Sequence, residues 1–75
     1  MAFVNVRVVA GVLDDSEKQR MIEGITDLVV EVEGKGSQDF KQYCWVIVDE
    51  IDPGMLGVAG QGLTTEDVKG AQAAS

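Results

Sequence analysis

The stretch YCWVIVDEI, residues 43–51, decides the reading of the fold. Its centre, residues 45–48, is apolar without a break and rich in β-branched side chains. A strand with one wet face alternates apolar and polar positions. An unbroken apolar centre marks a strand covered on both faces, as in parallel sheets. A parallel partner needs a long crossover, normally a helix. Both must lie on the N-terminal side.

They are found there. AFVNVRVV, residues 2–9, reads as a strand, with Phe3, Asn5, Arg7 and Val9 on one face and Val4, Val6 and Val8 on the other. AGVLDD, residues 10–15, turns the chain. Asp14 followed by Glu17 has the spacing of an N-cap and its N3 partner. The helix that starts there is expected to run to about Glu33. Met21, Ile22, Ile25, Leu28, Val29 and Val32 recur at spacings of three and four and form its apolar stripe. Gly24 and the late valines are poor helix formers, so packing must hold this helix. Gly34 and Gly36 supply C-cap and turn positions.

Beyond the central strand, Pro53-Gly54 forces a turn, and MLGVAGQGL, residues 55–63, suggests a small hairpin. Thr64 with Asp67 resembles a capping box for a last helical turn, with a frayed tail, GAQAAS, after it. The fold class is α/β. A single domain, residues 1–75, forms a β-α-β unit with parallel strands, a right-handed crossover and a C-terminal hairpin. Two strands and one helix cannot finish a sheet. A strand apolar on both faces must find further cover, which predicts completion by self-association.

Composition bounds the function. Thirteen acids against six bases leave a net charge of -7, which argues against nucleic acid and anionic membranes as partners. No apolar run approaches the ~20 residues of a membrane span. The N-terminal residues have neither the basic nor the apolar region of a signal peptide. The expected location is cytoplasmic. A lone cysteine, Cys44, fits a reducing compartment and makes no disulfide. Without histidine it makes no zinc site either, and neither metal nor cofactor is expected. Oligomerisation is the remaining staple for so short a chain.

Taken together, the strand at the N-terminus, Gly11 after it, DDSEKQRMIEGITD as the helix opening, and WVIVDEI followed by GMLGVAGQGLTTEDV resemble the tautomerase superfamily. The likeness is to its short, 4-oxalocrotonate-tautomerase-like branch and covers nearly the whole chain. The resemblance implies β-α-β subunits that pair into dimers and assemble as a hexamer, a trimer of dimers. It implies an isomerase of small enol and keto acids. The base would be an N-terminal proline exposed by removal of methionine, and nearby cations would hold the carboxylates of a small carbonyl or enol acid.

Here the chain departs from the pattern. The proline position is Ala2, the arginine after the first strand's glycine is Val12, the second-strand arginine position is Trp45, and the hairpin aromatic is Leu56. If Met1 is removed, which a following alanine permits, Ala2 offers a primary α-amine. That amine can abstract protons or form a Schiff base with a carbonyl. If Met1 is retained, the free amine is displaced by ~3.3–3.6 Å. The alternative reading is a non-catalytic family member that binds a small ligand or serves as an assembly unit.

Other residues carry paired readings. Arg7 is a candidate carboxylate-binding cation, against a strand arginine in a surface or interface ion pair. Trp45 is a candidate stacking surface for a planar substrate, against interface packing. Asn5, Lys35 and Lys41 read as solvated surface. Cys44 reads as a small buried hydrophobe. Residues 57–60 lack the lysine of a phosphate-cradling loop. Asp49 and Glu50, adjacent on a strand, point to opposite faces and make no acid–base pair.

Overall fold

The structure, a computed structural model, describes residues 1–74. Strand β1 (Ala2–Val9) leads to helix α1 (Asp15–Val32), a 3-10 helix (Gln38–Tyr43) and strand β2 (Cys44–Ile51). Strands β3 (Leu56–Val58) and β4 (Gln61–Leu63) and helix α2 (Thr65–Ala74) follow. β1 and β2 pair in parallel, from Ala2 opposite Cys44 to Val9 opposite Ile51. The β-α-β reading holds, and β3 and β4 form a separate antiparallel hairpin.

Local chemistry sets most boundaries. Asp14 caps α1: its carboxylate accepts from the Glu17 N–H at 2.8 Å, and the Glu17 carboxylate accepts from the Asp14 N–H at 3.0 Å. Thr64 and Asp67 repeat the device on α2, at 3.1 and 3.0 Å. Asp52 to Met55 form a turn closed by a 3.0 Å bond, with Gly54 at φ +86° in the left-handed region that a side chain disfavours. Ala59 and Gly60, both at positive φ, make the two-residue hairpin turn whose twist matches its strands.

Four expectations are corrected. Of the predicted α1 stripe, Met21, Ile22, Ile25 and Val29 are half-buried, whereas Leu28 and Val32 stand in solvent and Val30, outside the stripe, is 2 % exposed. The covered positions Ile22, Thr26, Val29 and Val30 follow i, i+4, i+7, i+8 spacing, with Met21 and Ile25 beside them, and Leu28 and Val32 lie outside that face. Within one chain β2 is covered on one face only. Cys44, Val46 and Val48 are half-buried, whereas Trp45 is 56 % and Ile47 39 % exposed. The 3-10 helix was unforeseen. Its Phe40 ring lies so close to Gly34 that a Cβ there would stand 2.7 Å from it. Finally, α2 is a ten-residue helix rather than one turn with a frayed tail. Once capped, the strong propensity of Ala71 and Ala73 carries it on; Ser75 lies outside the described residues.

The core of a single chain is thin. Val9, 5 % exposed, joins Val30 as its buried hydrophobic residues. The radius of gyration is 14.9 Å, against about 11 Å for a compact chain of this length. The accessible surface is 5326 Å², where a folded monomer of this mass presents about 4,450 Å².

Candidate functional site

The predicted site residues fall at two ends of β1. At the first, Ala2 opens the strand, half-buried and opposite Cys44. Phe3 stands opposite Trp45, and their rings meet edge-to-face with centroids 6.4 Å apart. The α-ammonium of Met1 pairs with the carboxylate of Glu33. Glu33 is the C-cap of α1, where the helix dipole disfavours an anion, so a cationic amine there is well matched. Sequence reading missed Glu33, because an acid at the end of a helix carries no signal of its own.

At the other end of β1, Arg7, Val12 and Leu56 line one cavity of about 330 Å³, with Val8, Val9, Leu13, Met21 and Val68. Arg7 is its only charged lining residue. Asp49 stands opposite Arg7 in register, yet no ion pair joins them among the described residues. The structure thus brings together Arg7, Val12 and Leu56, and separately Ala2 and Trp45. The five steps from Ala2 to Arg7 span about 16 Å of strand, so one chain does not bring its own position 2 to its own cavity.

The cavity is braced from two sides. The Thr65 hydroxyl donates to the Ala10 carbonyl at 2.6 Å and ties α2 to the turn after β1. Lys18 on α1 pairs with Glu50 on β2, whose other oxygen accepts from the Gly11 N–H at 3.3 Å. The Lys18 hydrogen bond, then the Gly11 N–H, holds the Glu50 carboxyl below the usual carboxylate range; the same bond raises Lys18. The Glu17 backbone N–H, then the Ser16 hydroxyl, lowers Asp14 likewise.

These shifts set a pH dependence. A carboxyl whose pKa is lowered by folding stabilises the native state above its unfolded value, about 4.3 for Glu and 3.9 for Asp. That stability is lost as pH falls through the folded value. Lys18, raised, loses its contribution only above about pH 10.4. Thermal unfolding followed from pH 7 to pH 2 is expected to show a falling Tm below about pH 4.5. Glu50→Gln flattens part of that fall. An unchanged acid limb in the variant excludes the pair as its source.

Among the described residues no group of three His, Cys, Asp or Glu side chains is placed to hold a metal ion. No helix is long and apolar enough to cross a membrane. Cys44 is half-buried and free. Lys41 lines a groove with Glu23 and Asp27, away from both ends of β1.

A parallel β-α-β unit followed by a glycine-rich antiparallel hairpin defines a small α/β protein. Residues 3–66 match the family described as "Tautomerase enzyme". A probable tautomerase of Helicobacter pylori is 35% identical over 65 residues, covering 84% of this chain and 90% of the relative. One from Dickeya dadantii is 31% identical over 64 residues, covering 85% and 90%. The crystal structure of DmpI from Helicobacter pylori superposes with a TM-score of 0.66 at 30% identity, over 92% of this chain and 97% of that one. The chain belongs to the tautomerase family, in its 4-oxalocrotonate-tautomerase-like branch.

Proposed function

We propose that this chain is a self-associating isomerase of small enol and keto acids, acting through the α-amine of Ala2 without a cofactor, and impaired by the lack of proline. The supporting observation is the placement of position 2. Ala2 is held at the first rung of the parallel sheet, one residue from an amine that Glu33 grips. A reference α-amine has a pKa near 7.7–8.0, suited to general-base work near neutral pH. It would take the enol hydroxyl proton and return a proton to carbon, leaving the keto acid. Alanine supplies the amine but not the ring that locks φ, so the nitrogen is less well aimed. Retained Met1 keeps the amine on Glu33 and out of position.

Self-association is part of the same reading. Ala2 and the cavity lie about 16 Å apart along β1, so a site that uses both takes its amine from one copy and its cavity from another. The surface excess over a compact monomer, about 900 Å², is close to the ~800 Å² each partner buries in a standard interface. A trimer of dimers, in the cytoplasm, is the proposed assembly. Arg7 would hold the carboxylate, Val12 and Leu56 would shape the pocket, and Trp45 would cover its mouth.

The test combines intact mass with a tautomerase assay on phenylenolpyruvate for the chain and Ala2→Pro. Weak activity that rises about a hundredfold with proline supports the reading, the scale of one well-placed acid–base group. Absence of activity in both, with Met1 off, rejects it. The exposed Phe3, Trp45 and Ile47 then favour the second reading, a non-catalytic binding or assembly unit.

A further inference from the structure

The first residue is held by its charge rather than by its side chain. Met1 is 75 % exposed, yet its α-ammonium pairs with the Glu33 carboxylate, 32 positions along the chain. Glu33 is the C-cap of α1, and the last turn of that helix carries no basic residue. A helix C-terminus favours a cation, and an acid placed there is unfavourable unless one is supplied. Lys35, two residues on, makes no ion pair among the described residues. The cation that serves this helix end is the chain's own terminus. The next residue, Ala2, is already on the first rung of the sheet, opposite Cys44.

We propose that Glu33 is a latch on the N-terminus: in the folded chain it withholds the Met1 α-amine from an aminopeptidase and so keeps the methionine in place. An aminopeptidase must take the free amine and the first peptide bond into its own site. Here Glu33 engages the amine, and β2 engages the residue just beyond the bond to be cut. Both must let go together before water can split the Met1–Ala2 bond into free methionine and a new Ala2 ammonium. The small side chain of Ala2 permits that removal, so access decides it. Removal therefore belongs to the interval before β1 pairs with β2. It is also one-way. The new terminus lies ~3.3–3.6 Å further in, so a chain that loses Met1 loses the latch with it. The consequence for activity, an amine held on Glu33 or free at position 2, rests on the reading of the amine given above; the latch itself does not.

The experiment uses the full chain made by chemical synthesis, so that Met1 is present, refolded and treated with a methionine aminopeptidase. Intact mass follows the loss of methionine. A peptide of residues 1–8, which has no sheet to join, sets the rate for an open terminus. The folded chain is expected to be cut about tenfold or more slower than the peptide, because local opening must come first. Glu33→Gln, which keeps the shape and removes the charge, is expected to be cut about two- to fivefold faster than the parent, the worth of an exposed ion pair. Glu31→Gln, exposed on the same helix and without an ion pair among the described residues, keeps the parent rate. Added salt, with each rate taken relative to the peptide's, speeds the parent toward Glu33→Gln and leaves that variant unchanged. Should Glu33→Gln fail to fold, the salt dependence of the parent decides. A folded parent cut as fast as the peptide, a Glu33→Gln rate equal to the parent's, or a parent rate indifferent to salt overturns the proposal. None of these readouts involves turnover of a substrate. An inactive Ala2 chain therefore leaves the latch standing, and a failed latch leaves the reading of the amine standing.

Discussion

On the proposed self-association, Ile47→Lys is expected to leave separate chains with a much lower Tm. In one chain the substitution looks harmless. Ile47 is 39 % exposed, on the outer face of β2, and surface changes of that kind are usually worth no more than about 0.5 kcal/mol. Its surroundings say otherwise. Trp45, 56 % exposed, lies next to it on the same face and Phe3, 63 % exposed, stands opposite Trp45, which makes a cluster of large apolar side chains beside Asn5 rather than scattered exposure. A lysine buried there against a second copy is an unpaired charge in an apolar contact, unfavourable by several kcal/mol. Sedimentation velocity, with thermal unfolding at several protein concentrations, checks it. The parent should show a Tm that rises with concentration, and the variant one that does not. Equal sedimentation and equal Tm for both chains would mean that this face is not the interface.

Gly62→Ala is expected to detach the C-terminal hairpin. A Cβ at Gly62 would stand 2.2 Å from the Gly54 carbonyl oxygen and within 3.0 Å of the Gly54 Cα. Both are backbone, in a turn already bound to β4 by the Gly54 N–H to Leu63 carbonyl bond of 2.7 Å. Neither side can give way as a flexible side chain would. The overpacking is expected at or above the usual 1–3 kcal/mol. Leu56, paired with Leu63, would leave the cavity with the hairpin. Gly57, directly opposite Gly62, is the control: nothing lies within 4 Å of its added Cβ. Gly57→Ala should therefore change stability by no more than about 0.5 kcal/mol. Thermal unfolding and the Leu56 NMR signals separate the two variants. Equal behaviour would refute the steric account.

What was legible in the chain was local. Asp14 with Glu17, and Thr64 with Asp67, are pairs three residues apart whose side chains can reach only the backbone between them, so spacing alone predicts the bonds. Pro53-Gly54 names its turn in the same way. The 3-10 helix went unread because it depends on Phe40 finding Gly34, a contact made after α1 has ended. The α1 stripe was legible at Met21, Ile22, Ile25 and Val29 but not at its end, where Val30 is buried and Leu28 and Val32 are exposed, because apolar residues there surround the helix and periodicity alone does not choose among them.

The amino-acid sequence by itself determined the two helix caps, the turn at Pro53-Gly54 and the parallel β-α-β unit with its C-terminal hairpin. Only the tertiary structure decided that Arg7, Val12 and Leu56 share one cavity, that Ala2 lies at the opposite end of the strand, and that Glu33 holds the terminal amine. The reason is range. Caps and turns are set by groups a few bonds apart, whereas a cavity depends on where α2 and the hairpin settle against β1. That placement follows from the fit of Thr65 on Ala10 and of Gly62 on Gly54, far along the chain or hidden in a missing side chain.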